Sequence, residues 1–238
     1  MSDTRKHRGP HQADAKLFAS EQWPAMQQAV ADLSWLLDRG YAVPSSLKLV
    51  GDRYKLVERQ RTAVKRSACS TSDLELRVSK CVPAADTDFV WIDGFNLITT
   101  VEAALAGGVI LVGRDGAFRD MASMHGTYRK VEETRPALLL IGKFLAEHGV
   151  VKAHWLLDQP VSNSGRLATI IREIAEEHDW DWTANVVRDP DTDLIALQNE
   201  TVVSADSLIL NGCDRWCNAA AEVVGAIDEA WCVPLGRA

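Results

Sequence analysis

The sequence predicts an α/β protein with a mostly parallel central sheet covered on both faces, preceded by a small helical domain. Three observations carry that expectation. From about residue 88 onward, short apolar runs alternate with segments of helical periodicity, the pattern of strand–helix–strand units. Three of those runs lead into a carboxylate, at Asp93, Asp158 and Asp206. The first third instead repeats apolar residues at helical spacing and is basic: through Lys80 there are 14 Lys and Arg against 9 Asp and Glu, a charge of +5, within a 238-residue chain of net charge -7. The remaining 158 residues hold 12 against 24 and carry -12. Such a split fits a polyanion-handling module joined to an acidic, metal-dependent one, and equally two ordinary solvated surfaces.

Residues 1–12 are polar and are expected to form a disordered tail. Residues 13–82 form the helical basic domain. Within it Leu17, Phe18, Trp23, Met26, Val30, Leu33, Leu36 and Leu37 recur at helical spacing, with Pro24 opening a second helix after Ser20 and Gly40 ending it. After a turn at Val43-Pro44-Ser45-Ser46, the segment from Leu47 to Arg66 holds seven basic residues (Lys48, Arg53, Lys55, Arg59, Arg61, Lys65 and Arg66) against two acids. Ser/Thr clusters and Pro83 then mark a junction near residues 82–88.

Residues 88–238 form the α/β domain. Phe89 to Ile92 is a strand ending at Asp93, and a helix follows from about Asn96 to Ala106, stopped by Gly107-Gly108. Val109 to Val112 is a second strand, and helical pattern resumes at Ala117 to His125 and at about Glu132 to Glu147. Ala153 to Leu157 is a strand ending at Asp158, with a turn through Gly165 before a helix to about His178. Trp182 to Val187 is a strand, Asp189 to Asp193 opens a short helix, Val202-Val203-Ser204 leads to Asp206, a last helix covers about Asp214 to Val224, and Ala230 to Val233 is a final strand. At 47% hydrophobic residues the chain can build a sizeable core.

The N-terminus has positive charges but no apolar run behind them, and the longest uncharged apolar stretch, Ala103 to Gly113, is far short of a membrane span. A cytoplasmic location without membrane contact is the expectation. Five cysteines at irregular spacing fit reduced thiols, and Cys213 and Cys217, four apart, would share a face if helical.

If the acid-ended strands lie side by side, Asp93, Asp158 and Asp206 converge on one rim, joined by Asp191 or Asp193 from the intervening turn; of that pair, one points into the site and the other caps a helix. Crowded carboxylates repel, so one has a raised pKa unless a cation is bound. Mg2+ or Mn2+ removes the repulsion, because hard cations prefer oxygen ligands. Asn96, one turn after Asp93, is a candidate for orienting a scissile phosphate. Ser162, Asn163 and Ser164 offer hydroxyl, amide and backbone N–H groups to a phosphate, although helix capping explains them equally well. A second polar cluster of Asp115, Arg119, Asp120, His125, Tyr128, Arg129, Glu132 and Glu133 reads as a solvated helix face, with Glu132 as a further ligand the alternative. The tryptophans lie mostly in strand runs and read as core.

These residues resemble a family. Asp93-Gly-Phe-Asn96 is similar to the first-strand Asp-Gly-Tyr-Asn element of the PIN-like, NYN-type nucleases, and Ser204-Ala-Asp206-Ser207 is similar to their late Ser/Thr-x-Asp-x element. Asp191-Thr-Asp193-Leu-Ile-Ala-Leu resembles the acidic helix start that precedes it, and the match spans about residues 88–235. The resemblance implies a PIN-like three-layer domain in which Asp93, Asp206 and one of Asp191 or Asp193 bind Mg2+ or Mn2+ for RNA cleavage. Position 208 is Leu where many of the wider superfamily carry a second acid. The whole chain also resembles an uncharacterised prokaryotic family joining a basic helical domain to such a domain, through Leu49-Val-Gly-Asp-Arg-Tyr54 and Arg114-Asp-Gly116 followed by Arg119-Asp120.

Two functions follow as expectations. One is a metal-dependent endoribonuclease, with Asp93, Asp158, Asp191 or Asp193, and Asp206 holding the ion and the segment from Lys48 to Arg66 tracking single-stranded or structured RNA. The other is a non-catalytic RNA-binding adaptor on a nuclease-like scaffold. A small-molecule phosphohydrolase is a weaker third reading, since the Asp-x-Asp start of many such enzymes is broken by Phe95. A homo-oligomer is compatible with either.

Overall fold

The computed structural model describes residues 9–121, 128 and 130–236. The chain begins with helices α1 (Asp14–Leu17), a 3-10 turn, α2 (Trp23–Leu37), α3 (Val43–Arg53), α4 (Glu58–Ser67) and α5 (Thr71–Lys80). Pro24 sits in the first turn of α2, where its missing N–H costs nothing, and Gly40 takes a positive φ of 76° beyond its end. The basic run from Leu47 to Arg66 is two helices, broken where Lys55 adopts φ 54°. Helix α5 was not anticipated. Its signal is nonetheless in the chain: Ser70 is the N-cap, its hydroxyl accepting from the Asp73 N–H at 3.0 Å.

Strands β1 (Phe89–Asp93), β4 (Lys152–Asp158), β5 (Asp181–Val187), β6 (Thr201–Val203) and β7 (Arg215–Cys217) form an entirely parallel sheet in the order β5-β4-β1-β6-β7. Helices α6 (Gly94–Leu105), α7 (Thr134–Glu147), α8 (Ser164–Glu177) and α11 (Ala219–Gly225) cover one face, packing on Val90, Ile92, Trp155, Leu157 and Val203. The shorter α9 (Pro190–Ile195) and α10 (Ser207–Gly212) lie on the other, against Leu156, Val202 and Trp216. A parallel sheet with both faces covered needs near-continuous apolar strands, as β1 and β6 are at its interior, whereas the edge strand β5 buries only Ala184.

Two expectations are corrected. The helical pattern assigned from Ala117 begins as a strand, β3 (Phe118–Asp120), antiparallel to β2 (Val109–Val112); residues 122–125 lie outside the described residues. The last helix assigned near Asp214 to Val224 contains β7 and only then α11, so Cys213 and Cys217 do not share a helix face. In both places an open strand edge takes up backbone hydrogen bonds that local periodicity does not register.

Strand β8 (Trp231–Pro234) pairs in parallel with β2, giving a second sheet in the order β3-β2-β8. The front helices rest on that sheet: Phe18, Met26, Val30, Leu33 and Val64 share one core with Val109, Leu111, Val233 and Leu235. The Gln27 amide donates to the Pro234 carbonyl at 2.6 Å. Trp155 and Trp216 are fully buried, and all five cysteines are free thiols. Among the described residues no helix is long and apolar enough to cross a membrane.

Candidate functional site

Helix α6 leaves β1 toward one face of the sheet, whereas α10 leaves the neighbouring β6 toward the other. A crevice at the carboxyl ends of the strands follows from that divergence, and it is where ligands bind in open α/β sheets. Asp93 ends β1 at this point. The residue after it must be glycine, because a Cβ at Gly94 would stand 2.5 Å from the Leu157 side chain and 2.9 Å from the Leu156 carbonyl oxygen. The absent side chain lets α6 start hard against β4.

The two motifs that flank the crevice are tied to each other. Register pairs Ile92 with Val203, so Asp93 faces Ser204. The Ser204 hydroxyl donates to Asp93 Oδ2 at 2.8 Å and accepts from the Asp206 N–H at 3.0 Å. The Ala205 N–H donates to Asn96 Oδ1 at 2.9 Å. Asn96 is therefore occupied in holding the β6–α10 loop, and its carbonyl oxygen is not directed at a substrate. Asp206 caps α10, its Oδ1 accepting from the Leu208 N–H at 2.7 Å and the Ile209 N–H at 3.4 Å. Asp158 lies on the same sheet face as Asp93, two residues beyond Asp93's register partner Leu156 on the adjacent strand, which puts their backbones roughly 8 Å apart.

Charge crowds here. Asp93 is 6% exposed, and burial pushes its carboxyl up to about 7, opposed by the Ser204 hydrogen bond and reinforced by Asp191 and Asp206. Asp191 rises to about 6 through burial and then the charges of Asp206, Asp158 and Asp189. Burial also raises Asp158. Asp191 is thus the residue at which the acids of β1, β4 and β6 meet. Asp193 is exposed on the far side of α9, and the cap of that helix is Asp189, whose Oδ1 accepts from the Thr192 N–H at 3.1 Å. The expectation that one of Asp191 and Asp193 faces the site and the other caps is half corrected: Asp191 faces it, and neither caps.

Asp93, Asp158, Asp191 and Asp206 line a cleft of about 310 Å³. Asn96, Arg66, Arg119, Thr99, Thr100 and Asp120 line it as well. The Thr99 and Thr100 hydroxyls donate to Asp120 Oδ2 at 3.0 and 3.2 Å, and Arg66 Nη1 donates to the Asp120 carbonyl at 2.5 Å. Among the described residues no three His, Cys, Asp or Glu side chains already form a closed ligand set. Mg2+ does not require one, since it is commonly held by one or two carboxylates with waters and substrate phosphates completing the shell. An all-oxygen, like-charged donor set fits such a cation.

Of the basic residues expected to track a polyanion, only Arg66 lines the cleft. Arg59 is bound to Asp14 through Nε and Nη2 at 2.5 and 2.7 Å, with the Asp14 side chain fully buried. Arg61 holds the Leu56 carbonyl and Asp52, Lys48 pairs with Asp52, and Arg53 pairs with Asp32. Lys55 and Lys65 are exposed. Ser162 and Asn163 are exposed and Ser164 is buried; Ser164 Oγ donates to the Val161 carbonyl at 2.6 Å, and Asn163 Nδ2 to the Tyr128 carbonyl at 2.8 Å. Ser164 thus ties the turn before α8, and the Asn163 side chain does not cap that helix.

The second polar cluster is not a solvated helix face. Asp115 and Arg119 are buried, and so is Arg77 of α5. Asp115 accepts from Arg119 Nη1 and Nη2 at 2.8 and 2.6 Å and from Arg77 Nη1 at 2.6 Å. Against the cost of burial, the hydrogen bonds and charges of Arg119 and Arg77 hold its carboxyl below the usual range. Glu133 is buried, Glu132 is exposed and does not line the cleft, and His125 and Arg129 lie outside the described residues. Tyr128 is buried, its hydroxyl donating to Glu102 Oε1 at 2.6 Å. Ser204, Thr99, Thr100 and Arg77 were not anticipated as site residues. Thr99 and Thr100 carry a local signal, one helical turn beyond Asn96; Arg77 carries none.

Residues 84–222 match a family described as a domain of unknown function, DUF5616, and residues 25–80 match a protein family of unknown function, DUF434. An uncharacterised protein of Methanocaldococcus jannaschii, MJ0935, is 31% identical over 190 residues, which cover 78% of this chain and 89% of the relative. No solved structure matches. The chain belongs to the DUF5616 family, and the stretch similar to DUF434 ends at the last residue of α5.

Proposed function

We propose that the chain is a Mg2+- or Mn2+-dependent phosphodiesterase acting on RNA, an endoribonuclease whose residues 88–238 form a PIN-like, NYN-type domain. The carrying observation is the crowding of Asp93, Asp191 and Asp206 at the crevice between β1 and β6, where burial and mutual repulsion raise Asp93 to about 7 and Asp191 to about 6. Structural carboxylates are ordinarily paired or hydrogen-bonded into the lowered range. A group of mutually destabilised acids in a cleft marks a functional site.

When bound, a divalent cation supplies charge neutralisation and Lewis acidity toward a phosphodiester. Asp93, Asp191 and Asp206 would hold it. Ser204 fixes the Asp93 carboxylate, and Asn96 fixes the backbone that presents Asp206, so those ligands are pre-oriented. Asp158, partly buried, raised by burial and lining the same cleft, would join them in holding the ion. Arg66, held by Asp120, lines the same cleft and would supply positive charge toward a substrate phosphate.

The test is cleavage of mixed single-stranded and structured RNA by the purified chain with Mn2+, Mg2+ or EDTA, beside an Asp93→Asn/Asp206→Asn variant. Cutting that needs metal and disappears in the variant is expected. RNA retained equally by both forms without any cutting would overturn the enzyme in favour of the second reading, a non-catalytic RNA-binding adaptor. That reading draws on the absence of a closed ligand set among the described residues and on the use of one Asp206 oxygen as a helix cap.

A further inference from the structure

We infer that Arg77 and Arg119 are positioning residues for Asp206, so that the helical front region completes the acidic site. The observation is a pair of grips on either side of one residue. Arg119 Nε donates to the Ala205 carbonyl at 2.7 Å, and Arg77 Nη2 to the Ser207 carbonyl at 3.4 Å, the residues immediately before and after Asp206. Both guanidiniums are fixed from behind by the same buried carboxylate, Asp115, which accepts from each at 2.6 Å. Arg77 also reaches along α10, its Nε donating to Asn211 Oδ1 at 2.7 Å.

The knot is anchored in the front region at several points. Arg77 belongs to α5, and its own carbonyl accepts from Trp216 Nε1 at 2.7 Å. The turn that carries Asp115 is held by the Arg114 N–H on the Ser67 carbonyl at 2.8 Å and by Arg114 Nη1 on the Cys69 carbonyl at 2.7 Å. A loop that must present a carboxylate beside other carboxylates is pushed outward by repulsion. Bonds from two fixed guanidiniums to its backbone oppose that displacement, and the knot's single net positive charge, buried directly behind the loop, adds attraction. The α5 helix thereby acts on Asp206 without touching a substrate.

The grip on the loop stands on geometry alone; its consequence for metal affinity rests on the function proposed above. The experiment measures the two separately, in the full chain. Amide hydrogen exchange in Arg77→Lys is expected to show the Ala205 and Leu208 N–H groups about tenfold less protected, with α6 and α8 unchanged. Asn211→Ala, at the partly exposed end of the knot, is a milder second variant with the same local pattern. Unchanged protection, or an equal loss throughout α6 and α8, would overturn the inference. Mn2+ binding followed by electron paramagnetic resonance is expected to weaken about tenfold in Arg77→Lys but not in Leu145→Ala, a core variant of α7 on the sheet face opposite α10. Equal weakening in both would reduce Arg77 to a structural role. Wild-type protein that binds no Mn2+ would sink the metal reading and leave the exchange data to decide the grip.

Discussion

Asp93 and Asp115 are both buried aspartates near one cleft, and they behave in opposite ways. Asp93 is surrounded by acids and is pushed up to about 7; Asp115 holds two guanidiniums and is pulled down. Burial penalises both carboxylates. The partner decides the sign. In the knot two guanidiniums outweigh the cost of burial, whereas at the rim the Ser204 hydroxyl and the Asn96 N–H do not outweigh burial and the neighbouring acids.

The contrast is broken most directly at the rim. Asp93→Asn with Asp206→Asn is expected to lower metal-dependent RNA cleavage by about a thousandfold or more, since it removes two of the proposed ligands where loss of a supporting contact alone costs 10- to 100-fold. Cleavage assays at saturating Mn2+ read this, and retention of most of the rate would detach the acids from the chemistry.

At the knot the expected loss is in stability. Asp115→Ala leaves two guanidiniums buried without their carboxylate and should destabilise the fold by about 3–5 kcal/mol, read as a lower urea midpoint. An unchanged midpoint would mean that water replaces the carboxylate.

The two aspartates also predict opposite pH dependences. Asp93 has a folded pKa near 7 against about 3.9 unfolded, so the native state binds more protons between those values. Its contribution to stability is present below pH 4 and is lost as pH rises to 7, by at most roughly 4 kcal/mol. Metal-free protein should therefore melt higher at pH 5 than at pH 8, and Asp93→Asn should flatten that difference. Asp115 has the reverse sign: its contribution is present at neutral pH and is lost as pH falls through the acid range. A melting profile that rises monotonically from pH 5 to 8 would contradict the Asp93 assignment.

The smallest effects belong to the exposed basic residues. Lys55→Glu and Lys65→Glu should each weaken RNA binding a few-fold at low salt and reduce the salt slope by about one. Arg59→Glu is a poor probe of binding, because it breaks the pair with buried Asp14 and unfolds the front helices first. Filter-binding titrations across salt concentrations, with a melting curve for each variant, separate the two causes.

Much of the candidate site was legible in the chain, but unevenly. A strand ending in Asp93-Gly-Phe-Asn96 and another leading to Ser204-Ala-Asp206 both carry local signals, as does the turn at Asp191. The sequence also suggested roles that the fold assigns elsewhere. Asn96 was read as orienting a scissile phosphate, and its Oδ1 holds the β6–α10 loop; Ser164 was read as an anion donor or a cap, and its hydroxyl bonds the turn's own backbone. The basic stripe was read as one surface, yet Arg59 and Arg61 are clamps inside the front helices. Side-chain type announces what a residue can bond, and only its neighbours say what it does bond.

From sequence alone came the quantities that depend on near neighbours along the chain: helical periodicity, apolar strand runs, the Pro24 and Gly40 boundaries, and acids at strand ends. Tertiary structure decided everything that depends on which strand lies beside which. It placed β1 at the centre of the sheet, opened the crevice between β1 and β6, turned Phe118–Asp120 from expected helix into strand, and carried Arg77 to Asn211 across 134 residues of chain. The physical reason is that periodicity is written by local backbone geometry, whereas strand order and the partners of a buried charge are selected by the global competition to bury apolar surface without leaving polar groups unpaired.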